Sequence, residues 1–174
     1  MYQIESHDPI NISIPKEWAA LYCAKKLGKE SLSIKTLSNW LKQFNPNLEK
    51  HYRITFSVFR RLTAIATVKR RNMVGMRTNV SVSPIDVLTE ENSIEDAALF
   101  DDFLNMLGEI DYDFKLADMP KLCYMKFGKA PHINTFYKWQ QKFEVLPKSQ
   151  TGVYDVDAVK MFLRFVAVRY DLTY

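Results

Sequence analysis

With 174 residues, 47% of them hydrophobic and 25% charged, the chain has the composition of a globular protein of one domain or two small ones. No run of eighteen apolar residues occurs, which excludes a membrane-spanning helix. Met1–Pro9, interrupted by Glu5 and Asp8, lacks the apolar stretch of a secretion signal, so a cytoplasmic location is expected.

The net charge of +4 is unevenly spread. Residues 1–77 carry 14 Lys/Arg against 5 Asp/Glu, residues 78–118 carry 1 against 11, and residues 119–174 carry 9 against 4. Two basic ends flanking an acidic centre suit a chain that meets phosphates through both ends, although one solvated acidic helix would give the same split.

Residues 1–12 read as a lead-in. Ser13 is expected to cap a helix with Pro15 in its first turn, where the missing N–H has no partner to lose. Trp18, Leu21, Tyr22 and the stem of Lys25 recur at helical spacing, and Gly28 ends the helix. Ser33 caps a second helix with Leu37, Leu41 and Phe44 inward and Trp40 alongside, stopped by Asn45-Pro46-Asn47. An extended passage around Tyr52-Arg53-Ile54 leads to Thr55, the expected cap of a third helix carrying Phe56, Phe59, Leu62 and Ile65.

Residues 68–92 read as a linker with room for one strand; its basic start, Lys69-Arg70-Arg71, is either solvated or tracks phosphates. Ser93 and Asp96 resemble a capping box. They open an acidic amphipathic helix, Ile94 to Leu107, with Ala97, Leu99, Phe100, Phe103, Leu104 and Leu107 on its apolar side. That helix and its connection span residues 93–117. An exposed stripe of this size would be a sizeable apolar patch, so packing within the chain is expected, with a protein partner or homodimer through residues 93–108 as the alternative. Asp118 and Pro120 start the next helix and Gly128 closes it. Asn134 begins another, with Phe136, Trp139 and Phe143 inward. Leu146-Pro147 breaks that pattern, Lys148–Gly152 reads as a turn between extended pieces, and Val153–Val156 returns. Asp157 is the expected cap of a last helix built on Val159, Phe162, Leu163, Val166 and Ala167.

The chain carries one supersecondary unit twice. With a single deletion, Cys23/Cys123, Lys26/Lys126, Gly28/Gly128, Lys29/Lys129, Ile34/Ile133, Thr36/Thr135, Trp40/Trp139 and Phe44/Phe143 fall into register. The unit is helix, glycine turn, helix, and the copies occupy residues 1–67 and 118–174. Cysteines at matching places are expected to be buried thiols, each inside its own unit, rather than a disulfide.

Residues 118–166 resemble the DNA-binding unit of the MerR and phage-excisionase families of winged helix-turn-helix proteins. The resemblance rests on Asn134-Thr135-Phe136-Tyr137-Lys138-Trp139, then Leu146-Pro147, a glycine-containing wing, and Tyr154-Asp155-Val156-Asp157 entering a helix. Residues 13–66 resemble the unit through Ser33-Ile34-Lys35-Thr36-Leu37-Ser38-Asn39-Trp40. No glycine lies between Phe44 and Tyr52, so the first wing is weak or absent. Neither copy is followed by the long coiled-coil helix of full MerR regulators, which favours the excisionase-like comparison.

The expected fold is mainly α, two winged helix-turn-helix-like units joined by a linker and an acidic helix, with minor β in the wing or wings. The resemblance implies a sequence-preferring, non-enzymatic double-stranded DNA binder, a transcription regulator or excisionase-like architectural factor. Two other readings stay open: a protein-interaction adaptor in a nucleoprotein complex, and the DNA-recognition subunit of a packaging, recombination or replication machine.

A helix entering the major groove buries one face and shows donors and acceptors on the other. The second copy then offers Asn134, Thr135, Tyr137, Lys138, Gln141 and Lys142, with Lys148 in the wing; the first offers Lys35, Thr36, Ser38, Asn39, Lys42 and Gln43. The N-termini of both helices are ready anion sites.

No cofactor or metal is expected. His7, His51 and His132 are scattered, no Cys-x-x-Cys spacing occurs, and neither a phosphate-binding glycine loop nor a nucleophile elbow is present. Asp101-Asp102 and Asp111-x-Asp113 read as a solvated face rather than a metal cluster.

Overall fold

The structure is a computed structural model that describes residues 13–44, 54–75, 85, 87, 89 and 96–174. These residues are mainly helical and fall into two compact units, Ser13–Leu99 and Phe100–Tyr174. No described helix is long and apolar enough to cross a membrane.

In the first unit α1 (Lys16–Leu27) packs most extensively on α3 (Phe56–Gly75), and α2 (Ile34–Phe44) packs against both. α1 is buried nearly all round: Trp18, Ala19, Ala20, Tyr22, Cys23, Ala24 and Leu27 are interior, Leu21 is half-buried and Lys25 is exposed. Leu37, Trp40 and Leu41 turn inward from α2, as the periodicity requires, and Phe59, Leu62, Ile65 and Val68 are buried on α3, against which α2 packs; the Phe44 side chain lies outside the described residues. Tyr22 stacks on Phe59 at 5.5 Å.

Helix starts differ from the sequence reading in detail. Pro15, not Ser13, occupies the cap of α1, because Ile14 donates its N–H to the Ile54 carbonyl at 2.8 Å and the chain enters the helix only afterwards. Thr55 does cap α3 through its hydroxyl, which accepts from Val58 N–H at 3.3 Å. Residues 69–71, read as linker, continue α3. The Lys69 ammonium lies 5.5 Å from the centre of the Trp40 ring, and burial holds its pKa below the usual lysine value. Arg70 donates to the Leu27 carbonyl at 3.1 Å, closing the C-terminus of α1. The proposed strand and capping box, and the passage around Tyr52-Arg53, lie outside the described residues.

Both glycine turns use the left-handed region, with φ of 70° at Gly28 and at Gly128, but the closures differ. At the first, Lys29 N–H reaches Ala24 O and Gly28 N–H reaches Lys25 O, the paired Schellman pattern. At the second, Gly128 N–H bonds Tyr124 O. A Cβ at Gly28 would stand 2.9 Å from the Arg70 guanidinium, whereas nothing lies within 4 Å at Gly128. Gly128→Ala should therefore cost about 1–2 kcal/mol from backbone strain alone. Gly28→Ala should cost more, because Arg70 must also leave Leu27; chemical unfolding of the two variants checks the order.

The second unit contains Phe100 onward of α4 (Asp96–Glu109), a short 3-10 turn at Leu116–Asp118, α5 (Met119–Phe127), α6 (Ile133–Lys142) and α7 (Val156–Arg169). Phe100, Phe103, Leu104 and Leu107 are buried, Asp101, Asp102 and Glu109 are exposed, and Ala97, read as apolar lining, is exposed too. Gly108 allows close approach to α7, since a Cβ there would stand 3.0 Å from the Val156 side chain. Lys126 lies 3.7 Å from Asp101 and 4.5 Å from the Tyr174 ring centre. Lys26, its counterpart in the repeat, likewise sits over a ring of its own unit, Tyr22. The shared lysine therefore helps to build each unit.

Asp155, not Asp157, caps α7, its Oδ1 accepting from Ala158 N–H at 2.8 Å. Asp155 is the last extended residue before the helix, with a carboxylate within reach of the third turn residue; Asp157 is already helical. Asp118 precedes α5, but its carboxylate accepts from Lys115 N–H at 2.8 Å and so closes the 3-10 turn instead.

The β structure expected in the wing reduces, among the described residues, to one antiparallel bridge. Tyr154 pairs with Phe114, exchanging hydrogen bonds of 2.8 and 3.0 Å. Lys148–Val153 is a loop rather than a hairpin. Pro147 has no N–H to give a ladder, and the Ser149 hydroxyl takes the N–H of Val153 at 3.0 Å. Gly152, with φ of 77°, turns the chain back.

Candidate nucleic-acid interface

The second unit builds its candidate face from a helix whose other side is aromatic. On α6, Phe136 meets Phe162 at 6.0 Å and Trp139 meets Phe165 at 5.1 Å and Tyr170 at 5.8 Å, all between ring centres. These contacts leave Asn134, Tyr137, Lys138, Gln141 and Lys142 exposed, Tyr137 with half its surface in solvent. Thr135 is half-buried. The helix begins one residue before the expected Asn134, at Ile133, with His132 as cap. The imidazole Nδ1 accepts the Asn134 N–H at 3.1 Å, so His132 shapes the first turn of the helix that carries the candidate face.

The first unit repeats the arrangement with different groups. Lys35, Asn39, Lys42 and Gln43 are exposed on α2, and Ser38 is half-buried. Thr36 is engaged in the cap: its N–H donates to the Ser33 hydroxyl at 3.1 Å, and the two hydroxyls lie 2.9 Å apart. Five of the six face positions differ between copies, namely Lys35/Asn134, Ser38/Tyr137, Asn39/Lys138, Lys42/Gln141 and Gln43/Lys142. The shared frame thus carries two unlike surfaces.

Lys148 is exposed at the start of the loop after α6. The loop is placed by a residue outside the expected face, Gln140. Gln140 donates through its amide to the Pro147 carbonyl at 2.8 Å and to the Tyr154 hydroxyl at 2.7 Å. Its position, four residues after Phe136 and three before Phe143, is on the inward stripe. A polar residue on that stripe was the available signal.

Both cysteines are fully buried, Cys23 in the first unit and Cys123 in the second. Burial raises the Cys23 thiol to about 12 and Cys123 further, so neither offers a thiolate near neutrality. Asp101, Asp102, Asp111 and Asp113 are all exposed, and no group of three or more potential metal ligands comes together among the described residues. No protein-family model, no curated protein and no solved structure matches this chain.

Proposed function

We propose that the chain is a non-enzymatic, sequence-preferring binder of double-stranded DNA, acting as a transcription regulator or an excisionase-like architectural factor. The supporting observation is the recurrence of one helix–glycine–helix unit whose second helix buries Leu37, Trp40 and Leu41 in one copy and Phe136 and Trp139 in the other. In both copies that helix turns amide, hydroxyl and amine groups outward. In this reading α2 and α6 enter major grooves, the 148–153 loop stands where a wing would, and the relationship to MerR and excisionase proteins is one of descent. The protein then works in the cytoplasm, on DNA.

The exposed groups divide by chemistry. Asn134, Tyr137 and Lys138 lie at the front of α6 and suit base edges, whereas Lys142 and Lys148 suit phosphates. Asn134→Ala and Lys138→Ala should each lose about 1–3 kcal/mol on a preferred duplex and little on a scrambled one. Lys142→Ala and Lys148→Ala should weaken both alike. Preferred duplexes come from selection out of a random pool. Equal losses on both duplexes for Asn134→Ala and Lys138→Ala would move the reading face elsewhere.

The adaptor reading has one specific observation in its favour. A groove of about 350 Å³ on the second unit is lined by Val145, Leu146, Met161, Phe165 and Val168 with Arg164, and Val145, Met161 and Val168 are substantially exposed. A chain that uses this groove and leaves duplex DNA unbound is an adaptor. Service as the recognition subunit of a packaging, recombination or replication machine keeps the same DNA faces and adds such a protein contact.

A further inference from the structure

Pro147 and Tyr154 are the two feet of the loop that carries Lys148, one where the chain leaves α6 and one where it returns. Gln140 bonds both. A carbonyl only accepts, so the amide must turn its NH2 group toward Pro147, and this settles its orientation. The Tyr154 foot is itself fixed: the residue is buried, its ring meets Phe162 at 5.6 Å, and its backbone is bridged to Phe114. The span between the feet is closed further by the Ser149 hydroxyl on Val153 N–H. Lys148 follows directly on the Pro147 foot and projects into solvent. In the repeat register the counterpart of Gln140 is Leu41, a buried apolar side chain without such donors.

We propose that Gln140 is a positioning residue for nucleic-acid binding: it holds the 148–153 loop against α6, so that the Lys148 ammonium meets a backbone phosphate of the same duplex whose bases α6 reads. The inference rests on the DNA-binding reading and deepens it. A tied loop is ordered before binding, so the phosphate contact then costs only the ordering of the Lys148 side chain. An untied loop spreads Lys148 over many positions, and its contact fades.

The test is a double-mutant cycle in the full chain, read as Kd over a series of NaCl concentrations on a selected duplex. Lys148→Ala should lower the salt slope by about one. Gln140→Leu, which installs the first copy's residue, should lower it by nearly as much, while discrimination between preferred and scrambled duplexes persists. In the Gln140→Leu background, Lys148→Ala should weaken binding by less than about 2-fold further, the sign of coupling. Tyr154→Phe removes one acceptor, keeps the ring on Phe162, and should show the same coupling at smaller amplitude whether or not Gln140→Leu folds. If Lys148→Ala costs the same factor in the wild-type and Tyr154→Phe backgrounds, or if Gln140→Leu folds and keeps the full slope, this inference fails alone. A wild-type chain that leaves duplex unbound at low salt overturns the DNA-binding reading, and this inference with it.

Discussion

Raising the salt from roughly 50 to 200 mM is expected to weaken binding of the intact chain to duplex DNA by about two decades. Each ammonium that meets a phosphate releases a condensed counterion, and affinity falls with a logarithmic slope of about 0.9 per contact. The exposed Lys138 is assigned to base edges, whereas Lys35 and Lys42 on α2, with Lys142 and Lys148 in the second unit, are exposed cations assigned to phosphates. Contacts from all of them give a slope of roughly −3.6, hence a loss of about 150-fold over that range. Anisotropy titrations measure it directly. A slope of roughly −2 marks engagement by one unit only. Binding that ignores salt would remove DNA as the ligand and leave the adaptor.

Replacing Phe103 with aspartate should unfold the second unit. The ring is wholly buried on α4. Truncating such a phenylalanine costs about 3–5 kcal/mol before any charge is considered. The carboxylate adds the desolvation cost of placing a charge in an apolar interior. A domain stable by about 5–15 kcal/mol is left with little or nothing. Phe103→Leu, which keeps an apolar side chain, should retain most of the fold. Near-ultraviolet circular dichroism and urea unfolding report the outcome. A Phe103→Asp chain that stays folded and passes from dimer to monomer on a sizing column would make α4 an association surface instead.

The sequence was most legible where a period repeats. The inward stripes of α2, α3, α6 and α7 follow from residues three and four apart, and the turns at Gly28 and Gly128 follow from the need for positive φ. The exposed faces followed as the complement of those stripes. Caps were less legible because polar residues cluster at each start. Choosing Pro15 over Ser13 and Asp155 over Asp157, and starting α6 at Ile133 behind a His132 cap, depends on where the backbone turns from extended to helical. Lys69 and Arg70 read as part of a linker run, either solvated or tracking phosphates, because their partners, the Trp40 ring and the Leu27 carbonyl, belong to other helices. Gln140 was hidden for the same reason: its two acceptors lie seven and fourteen residues away, across a loop whose path local pattern does not specify.

The Phe114–Tyr154 bridge gives the second unit a mechanical property that a simple run of helices lacks. It joins the chain about 40 residues apart, so α5, α6 and the loop lie inside a closed ring with the bridge as its clasp. Closing a ring of that length carries roughly 3 kcal/mol of entropy, opposed by the burial of the residues at the clasp. Neither end of α6 leads to a loose terminus, so displacing the helix pulls on both halves of the ring. Opening of α6 and of the loop after it is therefore coupled to loss of the clasp. The exposed face of α6 thus shares its stability with the clasp at Phe114 and Tyr154.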